Sequence, residues 1–296
     1  MPIQPPNPTV DRIERLQSIS RLGEDDWLDL LQMGWSEYRR FLLGQGSLPE
    51  ASCSRLRDFF DLQTCPSDLT PIDFDTLGLR FQSPTRQELP EPFLVAAYGR
   101  QRTTITSLEF LEKKYGWRLR RDILKHFRVD ESSLRDAFAP VSIRLMSSIC
   151  EYMVRRRFEE RSFIEMGRYS FEGNRSTMIG KCLAECSSLE DLCDTYFNQL
   201  APLFEQNCSY HFQASSALSG IVTYSSFKHV AEELGVRSVG NPQTCLLKQG
   251  MFASLPGYLN YTDAHVTHIR CEHRGDEVCQ SFIDLTPCRP LDAPLD

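Results

Sequence analysis

Four residues in the last fifth of the chain carry side chains from which a metal site can be made: Cys245, His268, Cys271 and Cys279. Three thiolates and one imidazole form a closed tetrahedral set, the type that holds structural Zn2+ and leaves no position open for a reacting water. Cys271 and Cys279 flank the turn-forming residues 273–276, so a hairpin joining the β-prone runs 265–272 and 277–285 brings the two thiols together. His268 precedes Cys271 by three residues, and an odd separation sends the two side chains to opposite faces of a regular strand. Either a bulge restores His268 to the cluster, or His273, which shares a strand face with Cys271, takes its place.

Other chemistry has less to stand on. The chain has no phosphate loop ending in Gly-Lys-Ser/Thr, no His-Glu-x-x-His pair and no Gly-x-Ser-x-Gly elbow, and a four-ligand metal site is closed to hydrolysis, so no enzyme is expected. The first six residues, Met-Pro-Ile-Gln-Pro-Pro, lack the basic start and apolar stretch of an export signal, and no apolar run approaches the roughly 20 residues of a membrane span. A cytoplasmic protein is expected, without membrane contact. Its eleven cysteines then read as buried thiols and metal ligands rather than a disulfide framework. Cys182, Cys186 and Cys193 fall on one helical face, which is a packing pattern, while Cys53, Cys65, Cys150, Cys208 and Cys288 have no partner that spacing identifies.

The elements that must position these groups divide the 296 residues into blocks. A proline-rich tail, 1–10, precedes a helical block, 11–62. There Ile13, Leu16, Ile19 and Leu22 recur at helical spacing, Ser36 is placed to cap a third helix, and Pro49 opens a fourth. Residues 63–92, interrupted by five prolines, read as a linker, 93–139 as a helical connector, 140–287 as helices followed by strands, and 288–296 as a tail. The fold class is α+β, with an N-terminal all-α unit. The formal charge of −7 argues against a protein that coats nucleic acid with its whole surface. Residues 11–60 hold seven arginines against nine acids, while 100–128 hold nine basic residues against three acids, a pattern of a solvated helix face or a docking surface.

Two resemblances add to this reading. The run Trp35-Ser36-Glu37-Tyr38-Arg39-Arg40-Phe41-Leu42-Leu43-Gly44, with Leu48-Pro49 after it, resembles the recognition helix of Xre/Cro-type helix-turn-helix proteins. That resemblance implies that Trp35, Ser36, Glu37, Arg39 and Arg40 face double-stranded DNA. The run 266–282 resembles the end of the 4-vinyl reductase domain, V-x-E-x-x-C-x-x-x-G-x-x-x-C, with His268 where that pattern has glutamate and Cys245 at the distance of a first ligand. It implies a dimerising α+β sensor that holds Zn2+ through Cys245, His268, Cys271 and Cys279. That sensor would enclose a small hydrophobic or aromatic effector, with Phe204, Tyr210, Phe212, Tyr224, Phe252 and Tyr258 as wall candidates. Together they imply a one-component transcriptional regulator acting as a homodimer. The competing expectation is a ligand-gated protein–protein adaptor without DNA binding.

Overall fold

The computed structural model describes residues 7–20, 22, 24–68, 70–80, 88–134 and 136–291. Most of the two expected tails, 1–6 and 292–296, lies outside them. The chain divides into two compact units, Met1–Gln87 with Leu111–His126, and Glu88–Phe110 with Phe127–Asp296.

The first unit is helical: α1 (Pro8–Ser20), α2 (Glu24–Leu31), α3 (Trp35–Leu42), α4 (Glu50–Phe60) and α5 (Phe74–Arg80), the end of α6 (Gln101–Tyr115), and α7 (Trp117–His126). Ile13, Leu16, Trp27, Leu31 and Leu56 are fully buried, because their spacing gives each helix one apolar stripe. Inside this core the indole N–H of Trp27 donates to Tyr38 Oη at 3.1 Å, and the Tyr38 hydroxyl donates to Gln17 Oε1 at 3.0 Å. Helix α3 starts at Trp35 with Gly34 at its N-cap, so Ser36 lies inside the helix and does not cap it. The expected linker also carries structure, since α5 sends Leu77 into the core and Ile72 and Phe74 pack beside it. Cys53 and Cys65 form a disulfide, a pairing that spacing did not identify.

Part of the basic run is internal to this unit. Arg118 Nε bonds buried Glu14 at 2.9 Å with Arg121 3.5 Å away, and Glu112 accepts from Arg120 at 2.7 Å and from Arg15. These arginines neutralise the buried Glu14 and the partly buried Glu112, whose charges would otherwise carry a desolvation cost.

The second unit is the α+β part. Its helices are α8 (Ile143–Arg155), α9 (Glu160–Arg168), α10 (Ser170–Asn174), α11 (Met178–Ala184), α12 (Leu189–Asp194), α13 (Ala201–Phe204), α14 (Lys228–Leu234) and α15 (Pro242–Ala253). A two-residue pair, β1 (Gly99–Arg100) and β2 (Pro140–Val141), stands apart from the main sheet of β3 (Cys208–Ser216), β4 (Ser219–Ser226), β5 (His265–Arg270) and β6 (Cys279–Asp284). That sheet is antiparallel in the order β3-β4-β6-β5. Cross-strand pairing puts Tyr210 opposite Tyr224 and Tyr224 opposite Cys279, and sets Phe212, Val222, Ser281 and His268 in the next row. All of these share the sheet face turned to the core, because side chains alternate along a strand.

Helix α15 closes on that face. Asn241 and Thr244 form a reciprocal capping box at its start, and Asn241 Nδ2 donates to Ser147 O of α8 at 3.0 Å. Its backbone lies against α9 at two glycines: a Cβ on Gly167 would sit 1.9 Å from Leu247 O, and one on Gly250 1.9 Å from Ile164 O. The two glycines let the helices approach at backbone distance, which fixes the height of α15 over the sheet. A π-helical turn, Thr195–Leu200, runs along the edge strand β3, where Asn198 both accepts from Phe212 N at 2.8 Å and donates to Phe212 O at 3.1 Å.

Candidate cysteine–histidine centre and adjoining cavity

The β5–β6 hairpin supplies three members of the cluster. Its turn is a 3-10 segment, Glu272–Arg274, closed by Gly275 at φ +102°, a conformation that favours glycine. Register shifts between His268 and Arg270, so the strand carries a bulge that returns Cys271 to the face of His268. Cys245, one turn into α15, completes the group. One ligand atom from each of Cys245, His268, Cys271 and Cys279 lies within 4.8 Å of all the others, and Cys245 Sγ is 3.9 Å from both Cys279 Sγ and Cys271 Sγ. Thiolate–metal bonds of about 2.3 Å at tetrahedral angles separate sulfurs by roughly 3.8 Å, so the sulfurs already stand at ligating distance.

The second histidine nitrogen decides which imidazole belongs here. His268 Nδ1 lies 3.2 Å from Tyr224 Oη and 3.1 Å from Ser281 Oγ, whereas buried Nε2 has no hydrogen-bond partner among the described residues. A ring oriented through one nitrogen with the other left for a metal is the usual arrangement of a ligating histidine. His273 is instead held by Ser238 Oγ, 3.0 Å from its Nδ1. The hydrogen bond from Cys245, helped by the Glu272 N–H and opposed by burial, holds the Cys279 thiol down at about 4. That same bond, with burial, pushes Cys245 far up, and burial raises Cys271.

Beside the cluster on α15 is Lys248. Its Nζ donates to Cys208 Sγ at 3.4 Å and sits 4.8 Å and 5.0 Å from the ring centroids of Tyr224 and Tyr210. Burial opposes its charge, but its neighbours, the Glu205 carboxylate among them, hold its pKa above the ordinary lysine value. Lys248 also lines a cavity of about 120 Å³ with a mostly apolar wall, to which Met146, Leu247, Met251 and Phe204 contribute. Of the six aromatic wall candidates, Phe204 and Tyr210 line this cavity. Phe212, Tyr224 and Phe252 are instead packed into the main core, and Tyr258 stands edge-on to Phe171 at 5.0 Å. The cavity's polar lining, which includes Arg102, Asn174, Glu205, Asn207 and Lys248, was missed in the sequence, where nothing local marks it.

The five residues expected at DNA, Trp35, Ser36, Glu37, Arg39 and Arg40, lie together on the exposed side of α3, opposite buried Tyr38 and Phe41. Acidic Glu37 stands among them, and the arginines of α7 that could have extended a basic surface are committed to Glu14 and Glu112.

No protein-family model and no curated protein matches the sequence. Solved structures of low similarity do match. They include an H-NOX protein from S. oneidensis in the Fe(II)NO ligation state (TM-score 0.48, 13% identity, covering 63% of this chain and 98% of that one). Another is the Fe(II) unliganded H-NOX protein from K. algicida (TM-score 0.45, 11% identity, 62% and 95%). A third is a Cs H-NOX mutant with 4-cyano-L-phenylalanine at site 5 (TM-score 0.44, 11% identity, 66% and 100%). These matches are to H-NOX proteins and not to a 4-vinyl reductase domain joined to a helix-turn-helix, which corrects both resemblances drawn from the sequence. The DNA-binding regulator, its adaptor alternative and the structural Zn2+ carried over with them are corrected likewise. At this level of similarity no property of the H-NOX proteins passes to this chain. Among the described residues no helix is long and apolar enough to cross a membrane.

Proposed function

We propose that the second unit is a binding module for a small organic molecule, working by binding rather than by catalysis. Its cavity is the observation that carries this reading: about 120 Å³ of mostly apolar space inside the unit's own wall. Spaces near this size hold a single benzene ring in other proteins. Cys245, His268, Cys271 and Cys279 in this proposal hold one thiophilic metal ion, which ties α15, a wall of the cavity, to the β5–β6 hairpin. The orphaned His268 Nε2 and the sulfur spacing support that assignment.

Haem is named for two of the matched structures, one of them of the H-NOX family. The residues here do not fit it. A haem iron needs an axial histidine, thiolate or ionised tyrosine, methionine serving only opposite a histidine, in a pocket that holds the macrocycle. The cavity is of single-ring size and no histidine or cysteine lines it, while burial raises the pKa of Tyr196 and Tyr210 and keeps both phenols protonated.

Two measurements test the proposal. Toluene added to the full chain should shift the methyl signals of Met146 and Met251, and Met146→Trp should abolish the shift by filling the space. Absence of any shift in the unsubstituted protein would refute the binding site. Elemental analysis of protein purified without added metal should find about one d-block ion per chain, lost in Cys271→Ser. A metal content near zero in reduced, freshly prepared protein removes the centre.

A further inference from the structure

Two features of the cavity wall are not accounted for by an apolar ligand. The first is Arg102 on α6. Its Nη1 donates to Asn174 Oδ1 at 3.0 Å and to Thr177 Oγ1 at 3.3 Å, and its guanidinium lies 4.5 Å from the Phe138 ring centroid. All of these partners are neutral, and among the described residues no carboxylate pairs with it. Lys248, the other cation named above, differs in having the Glu205 carboxylate near it. Burial pulls the Arg102 pKa below the ordinary value, as expected for a cation withdrawn from water without an anion.

The second is Asn207, which is 1% exposed. Its Nδ2 donates to Glu205 Oε1 at 2.7 Å. A carboxylate only accepts, so this bond fixes which end of the amide is nitrogen. Oδ1 is then a buried acceptor with no partner among the described residues. Leaving such a group unmet costs more than a typical hydrogen bond contributes. Both Arg102 and Asn207 line the cavity, whose apolar wall includes Ile143, Met146 and Leu247.

We infer that the ligand is a hydroxy carboxylic acid with a body of single-ring size, its carboxylate on Arg102 and its hydroxyl donating to Asn207 Oδ1. The apolar wall takes the body, the guanidinium gains the anion it lacks, and the orphan acceptor gains a donor. This rests on the binding role proposed above and names its ligand class.

The test uses the full chain and measures dissociation constants by titration calorimetry for 3- and 4-hydroxybenzoate, benzoate, the two hydroxybenzamides and toluene. The better hydroxybenzoate should bind at least about tenfold more tightly than its amide, the order expected for a charge-assisted hydrogen bond. It should also bind about fivefold or more tightly than benzoate, as one added buried hydrogen bond allows. Arg102→Met should bring acid and amide within about twofold of each other while toluene still binds, which shows the cavity intact. Asn207→Leu should erase the preference for hydroxybenzoate over benzoate. Equal binding of acid and amide by the unsubstituted protein, or discrimination that survives in Arg102→Met, overturns the assignment of the anion. Hydroxybenzoate no tighter than benzoate overturns the role of Asn207 and leaves its acceptor to water. If toluene and every acid fail to bind, it is the binding role itself that falls.

Discussion

At the scale of single residues, the molecule sorts two histidines close in sequence by what their nitrogens touch. His268 keeps Nε2 free among three sulfurs, while His273 spends Nδ1 on Ser238. His268→Ala should therefore cut metal retention after dialysis by tenfold or more, a loss of the order seen when a ligand or its orienting partner is removed from a metal site (about 10–100-fold). His273→Ala should leave it within about twofold. The reverse outcome would exchange their assignments. Tyr38 carries a second residue-scale prediction. Burial pushes its phenol up to about 12 against the Trp27 hydrogen bond that lowers it. A folded-state pKa raised above the unfolded value near 10 gives stability that is fully present below pH 10 and is lost as pH rises toward 12. The loss is at most about 3 kcal/mol. The Trp fluorescence midpoint in urea should fall over that window, and Tyr38→Phe should remove this part of the slope while lowering stability by about 1 kcal/mol at pH 7.

Elements set what sequence could and could not reveal. The hairpin was legible because two β-prone runs around a Gly275 turn are a local pattern, and a local pattern fixes the neighbourhood of Cys271 and Cys279. The odd spacing of His268 even posed the bulge as one alternative, and the register shift at 268–270 is where it occurs. The cavity was not legible, because Arg102, Asn207 and Lys248 come from α6, the bend before β3 and α15, and no periodicity in one element refers to another. Aromatic type misled for a related reason: Phe212, Tyr224 and Phe252 have the composition of a ligand wall, yet their strand register and helix face pack them together as core. The Trp35–Gly44 run matched a short motif, but a motif of ten residues says nothing of Glu14 and Glu112 drawing in the nearby arginines. The element contact with the tightest tolerance is α9 on α15. Gly167→Ala or Gly250→Ala would drive a methyl into a carbonyl oxygen, beyond what a side-chain shift relieves. Each should cost about 3 kcal/mol or more, the upper end of overpacking, read as a lowered denaturation midpoint of the second unit. A cost below about 1 kcal/mol in either would mean that the helices are free to separate.

At the scale of the whole molecule, the two units report on themselves through different chromophores. The three tryptophans, Trp27, Trp35 and Trp117, all belong to the first unit, whose core surrounds Trp27. The second unit has none, and its core is built on Phe197, Phe212, Phe252 and the tyrosines near them. Cys271→Ser, or a chelator strong enough to strip the proposed ion, acts on the second unit, since binding free energy at a closed metal site is folding free energy. Calorimetry should then show one component of the thermal transition moved down by several degrees, because about 1 kcal/mol shifts the midpoint of a domain of this size by roughly 2–4 °C. Tryptophan emission, reading the first unit, should keep its midpoint. Separate cores predict separate transitions. If the emission midpoint instead falls together with the calorimetric one, α6, which both units share, couples them into one cooperative block, and the loss of the cluster is felt at Trp27.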